Sequence, residues 1–93
     1  MTPLLELDGE LTIAVAAEQQ ARLRTFLQQG AAAAGIGLSG VTELDTAGLQ
    51  LLLAARREAA QRGTALTFLS PSRAVRDVFV MAHLALEPDG VPL

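Results

Sequence analysis

Residues 38–53, LSGVTELDTAGLQLLL, constrain the fold most: an apolar strand breaks into a polar corner and restarts as a leucine-rich helix. Asp45 and Thr46 both carry side-chain oxygens suited to capping free backbone N–H groups, and Leu49, Leu52 and Leu53 recur at helical spacing. A helix is therefore expected to begin at about Thr46 or Ala47. Its N-terminus favours an anion, because free N–H groups and the positive end of the helix dipole converge there.

The rest of the chain alternates short strands with helices that end in glycine. Residues 4–7 read as a strand, and Asp8-Gly9 is a turn signal before the alternating residues 10–13, which suggests a short hairpin or two nearly continuous strands. From about 15 to 29 there is no Gly or Pro, and Ala16, Leu23, Phe26 and Leu27 supply part of an apolar helical face that Gly30 terminates. Residues 34–38 are assigned to a strand on topology, since the neighbouring alanines favour helix while Gly35 and Gly37 weaken either structure. Ala34, Ile36 and Leu38 then share one face, and the glycines lie on the other, where a helix or neighbouring backbone has room to approach.

The second helix is expected over about residues 47–62, with Gly63 as a left-handed terminator and Glu58–Arg62 as an exposed pair. Its leucines at 49, 51, 52 and 53 are too many for one narrow stripe, so some should face a second layer or an exposed partner surface. Residues 65–69 read as a strand. Ser70-Pro71 then supplies an N-cap and a first-position proline for a third helix with the stripe Val75, Val78, Phe79 and Ala82. Residues 84–93 read as a loop with room for a short strand. This order implies an α/β sandwich with right-handed crossovers between parallel strands and an antiparallel N-terminal pair, which makes the sheet mixed.

At 93 residues the chain is expected to form one domain, with a core of Leu, Val, Ile and Ala, because Phe26, Phe68 and Phe79 are its only aromatic residues. The lack of cysteine removes disulfides and thiolate chemistry, and fits a reducing compartment. The first eight residues contain two acids and no basic residue ahead of an apolar stretch, and no run approaches the roughly 18 apolar residues of a membrane span. A soluble cytoplasmic protein without membrane insertion is expected. The net charge is −3, and the seven arginines are scattered without interleaved aromatics, so direct nucleic-acid binding is not expected.

Catalytic and cofactor signals are equally sparse. His83 is the lone histidine, no metal-ligand spacing occurs, and Ser39, Ser70 and Ser72 lack a nearby general base. Gly35-Ile36-Gly37 is too weak for a phosphate loop. Neither an autonomous enzyme nor a cofactor is expected.

The segment Asp45-Thr46-Ala47-Gly48-Leu49 resembles the signature of STAS domains, the family of bacterial anti-sigma-factor antagonists. Gly9-Glu10-Leu11, Ser70-Pro71-Ser72 and Val78-Phe79 extend the resemblance over most of the chain. It implies an α/β fold, a single STAS-like domain over residues 1–93, with helices packed on a mixed sheet of about four or five strands. It also implies that Thr46 is a phosphorylation site, that Asp45 orients the site or its kinase complex, and that Asp45, Thr46, Ala47, Gly48 and Gln50 bind a partner. In such antagonists the unphosphorylated form binds an anti-sigma factor that is also a serine/threonine kinase, and phosphorylation releases it. The wording from Asp45 to Glu58 is also similar to STAS proteins of chemotaxis signalling.

Two departures from the family pattern are visible. Ala47 stands where relatives often carry a second hydroxyl residue, and Thr12 replaces an early acid. An alternative of a different class is a STAS accessory subunit that binds the ATPase of a lipid-trafficking ABC transporter, where Thr46 makes a contact without being phosphorylated. Plainer roles stand beside these. Thr46 is expected to cap its helix, worth about 1 kcal/mol, Gly48 serves either tight packing or close approach of a partner, and Arg56 and Arg57 meet either solvent or an acidic partner.

Overall fold

A computed structural model describes residues 2–84. The order is β1 (Leu4–Leu11), α1 (Ala16–Leu27), β2 (Ala33–Leu44), α2 (Thr46–Gln61), β3 (Ala65–Leu69) and α3 (Arg73–Met81). The strands form one sheet in the order β1-β2-β3, and both neighbouring pairs are parallel. The expected sheet of four or five mixed strands is thus corrected to three parallel strands among the described residues.

The N-terminal hairpin is absent because Asp8-Gly9 does not reverse the chain. Gly9 takes φ 72°, and the strand continues past it with a register shift between Gly9 and Glu10. One glycine in the left-handed region absorbs an irregularity while β1 keeps pairing with β2 as far as Leu11 and Leu44.

β2 is also longer than residues 34–38. The strand runs on past Leu38 through Ser39-Gly40, and Gly40 sits opposite Asp8, where a Cβ would come 2.8 Å from the Asp8 Cβ. Between Gly37 and Gly40 the ladder slips, three residues of β2 matching two of β1. The glycine marks a crowded irregularity inside a strand, and the polar corner begins only after Leu44.

The core lies on one side of the sheet. Leu7, Ile36, Leu38 and Phe68 are almost fully buried there. Phe79 of α3 meets the Phe68 ring edge-on at a 6.3 Å centroid separation, and the Arg56 guanidinium of α2 lies 5.6 Å from the same ring. α1 packs against α2, so the helices form a second layer. The leucines of α2 are accounted for inside this layer: Leu49, Leu51 and Leu52 are buried and Leu53 packs against the core, leaving none as an exposed patch.

On the other face, the space above the β2 glycines is filled by side chains of neighbouring strands. A Cβ at Gly35 would meet Leu69 Cδ1 at 2.8 Å and Leu4 Cδ1 at 3.4 Å, and one at Gly37 would collide with the Glu6 carboxylate. Neither helix nor backbone takes the place left by the missing Cβ atoms.

Helix ends follow the glycine signals, with Gly30 at φ 69° and Gly63 at φ 76°. The start of α3 differs from expectation. Ser72, not Ser70, is the N-cap, its hydroxyl accepting from the Val75 N–H at 3.3 Å, while Ser70 takes φ 49° and Pro71 precedes the cap. The Ser72 N–H donates to the Leu38 carbonyl at 3.2 Å, which ties the third helix to β2 where its ladder slips. Of the loop expected over residues 84–93, residues 85–93 lie outside the described residues.

Candidate functional site

At the corner between β2 and α2 a single aspartate organises two segments. Asp45 adopts an extended backbone and is the N-cap of α2: its Oδ1 accepts from the Gly48 N–H at 2.9 Å. Its Oδ2 accepts from the Ile13 N–H at 3.0 Å, across the turn between β1 and α1. The Asp45 N–H points back to the Leu11 carbonyl, 3.5 Å away. Both carboxylate oxygens therefore serve backbone donors from different parts of the chain, and the bond to Gly48, followed by that to Ile13, holds the Asp45 carboxyl below the ordinary carboxylate range.

Thr46 is the first residue of α2 and is exposed. The expectation that it caps the helix is corrected, because capping falls to Asp45 and the Thr46 hydroxyl has no hydrogen bond to any described residue. The cause is positional: an N-cap oxygen reaches the N–H two or three residues on from a non-helical backbone, and Thr46 has already entered the helix.

Gly48 is buried beneath the corner. A Cβ there would sit on the Leu11 carbonyl oxygen and 2.6 Å from Leu44 Cδ1, so of the two readings of this glycine the structure supplies tight packing. Ala47 is half-buried and Gln50 exposed, on the side of α2 that turns toward α1. The structure thus brings Asp45, Thr46, Ala47 and Gln50 to one surface, with Gly48 letting the helix come close enough to form it.

Ile13 is the residue that sequence reading passed over. It stands in the turn after β1 with 74% of its surface exposed, beside Ala47 and Gln50 at the mouth of the concavity between α1 and α2. Its alternation with Leu11 suggests a strand residue, and only the bond from its N–H to Asp45 reveals its place at the corner. Arg56 lies over Phe68, whereas Arg57 is exposed on the wall of that concavity. His83 follows α3 with φ 56°, well away in sequence from this surface. No helix among the described residues is long and apolar enough to cross a membrane.

A family model described as "Mlab, STAS domain" matches residues 1–86. Among solved structures, the anti-sigma factor antagonist SpoIIAA in its unphosphorylated form is similar with a TM-score of 0.64 and 25% identity, over 84% of this chain and 72% of that one. A crystal structure of Mglu is similar with a TM-score of 0.64 and 24% identity, over 75% of this chain but 17% of that one, and this likeness concerns the fold alone. No curated protein matches the sequence.

Proposed function

The chain belongs to the STAS domain family, and from that premise we propose that it is a phospho-switchable, protein-binding regulator of the anti-sigma-factor antagonist type. Its partner in this reading is an anti-sigma factor or serine/threonine kinase, in transcriptional, chemotactic or other bacterial signalling. The observation that carries the reading is the division of labour at the corner. Asp45 satisfies the helix start and the neighbouring turn, which leaves the Thr46 hydroxyl exposed beside the helix N-terminus. A phosphate on Thr46 adds about −1.5 to −2 charge to a surface that already holds Glu43 and Asp45, and a partner fitted to the neutral hydroxyl then rejects it.

A second reading makes the chain an accessory subunit held on the ATPase of a lipid-trafficking ABC transporter. The exposure of Ile13 beside the corner favours it, since a permanent partner buries such an apolar group more readily than a transient one does.

One experiment separates the two. Wild type, Thr46→Ala and Thr46→Glu are tested for binding to the kinase and ATPase encoded nearest the gene, with mass spectrometry after incubation with kinase and ATP. The switch requires one phosphate on Thr46, retained binding by the Ala variant and weakened binding by the Glu variant. Loss of ATPase binding in the Ala variant, without phosphorylation, supports the subunit, and equal binding by all three variants removes Thr46 from either complex.

A further inference from the structure

We infer that the concavity between α1 and α2 is a docking groove for an acidic amphipathic helix of a protein partner, with Ile13 as its apolar anchor and Arg57 as its charge selector. The inference extends the proposed protein-binding role beyond the Thr46 corner. Its starting observation is the pairing of an exposed large apolar side chain with a shallow trough of small ones: Ile13 at the mouth, Ala17 and Ala47 on the two walls, and Ala54 further in. The trough does not end there, because Ala54, Leu51 and Gln20 also line an adjoining concavity that reaches Leu27 and Glu58. Between Ala47 and Glu58 the helix rises roughly 16 Å, about three helical turns of a partner.

The backbone decides the form of the occupant. Both walls are α-helices whose interior N–H and C=O groups are consumed within the helix, so an extended peptide finds no ladder to join. Recognition must come from side chains, as when a helix lays an apolar stripe in a groove. Charge decides its sign. Arg57 is exposed on the wall and pairs with no carboxylate among the described residues, and Arg24 lines the adjoining stretch. The one acid of the trough, Glu58, is already held by Arg62 at 3.0 Å. The lining thus carries positive charge without a matching negative one, on a protein whose net charge is −3. Glu or Asp beside the partner's apolar stripe complements it.

Asp45 connects this groove to the Thr46 corner, since the carboxylate that caps α2 also fixes the Ile13 backbone. The two surfaces are adjacent but chemically distinct, one a hydroxyl at a helix start and the other apolar with a cation.

The test replaces Ile13, Ala54 or Thr46 singly with a photo-crosslinking phenylalanine derivative in the full-length protein, expressed in its native cell, and sequences the captured peptides. Positions 13 and 54 are expected to capture the same segment, one with an amphipathic helical pattern and an acid flanking its apolar stripe. Arg57→Glu is expected to lower that yield roughly tenfold or more, and reversing the facing acid to Lys to restore it. Absence of adducts at 13 and 54, capture of a basic or non-helical segment, or indifference to Arg57→Glu overturns the groove. Adducts from position 46 alone leave the corner's proposed function standing while the groove falls. Adducts from 13 and 54 without any from 46 do the reverse.

Discussion

At the scale of single residues, Asp45 alone takes the capping role that the side chains of both Asp45 and Thr46 would permit. Asp45 holds the helix start and the Ile13 turn, and Thr46 holds nothing among the described residues. Thr46→Ala is therefore expected to change the melting temperature by less than about 2 °C, whereas Asp45→Ala lowers it by roughly 5–10 °C, both read by thermal unfolding followed by circular dichroism. Asp45 also gives stability a pH dependence. Its folded carboxyl titrates below the ordinary value because the N–H groups of Gly48 and Ile13 favour the charged form. The unfolded chain then binds the proton first, and the stabilisation is complete above the unfolded value near pH ~4 and is lost as pH falls through the lower folded value. In urea titrations wild type should exceed Asp45→Asn most above that range, with the gap closing in stronger acid. A constant gap at every pH would remove the ionised carboxylate as its cause.

At the scale of elements, α2 depends on a glycine that helix propensity alone condemns. Alanine in place of a helical glycine gains at most about 0.5–1 kcal/mol on propensity grounds, and less in the first turn where Gly48 lies. At Gly48 the added methyl meets the backbone carbonyl of Leu11, which cannot rotate away as a flexible side chain would. Overpacking of this kind costs ~1–3 kcal/mol or more and decides the sign. Gly48→Ala is expected to destabilise by about 2 kcal/mol in chemical denaturation, and to weaken protection of the Ile13 amide in hydrogen exchange as the β1 end and the helix start separate. Neutral or increased stability would show that α2 does not need this approach to Leu11.

At the scale of the whole molecule, three parallel strands among the described residues carry one layer of helices, and α3 is joined to the sheet by two aromatic rings. Phe79 is fully buried and packs on Phe68, while the Ser72 N–H to Leu38 carbonyl bond holds the other end of α3. Phe79→Ala should cost ~3–5 kcal/mol. That is a large share of the roughly 5–15 kcal/mol available to a domain, so loss of a cooperative urea transition, or a midpoint lowered by several tenths of its wild-type value, is expected. A variant with an unchanged midpoint would mean that α3 contributes little to the folded state.

Local chemistry legible in the sequence placed the helix ends and the corner itself. Gly30 and Gly63 terminate helices because the positive φ needed there is open to glycine at little cost, and residues 65–69 form a strand with its expected bounds. The start of α2 at Thr46 followed from polar residues ahead of a leucine run in the same way. Asp8-Gly9 and Ser39-Gly40 carry turn chemistry too, yet both lie inside strands, because parallel pairing between β1 and β2 continues across them and takes up each irregularity as a register shift. Which oxygen caps α2 is a local matter between Asp45 and Gly48, whereas why Gly48 must be small and that Ile13 is bonded to the corner were decided only by tertiary structure. Each of these last two depends on a contact between residues 32 to 37 positions apart, and the order of residues along a chain states what a side chain can bond but not what the fold brings within its reach.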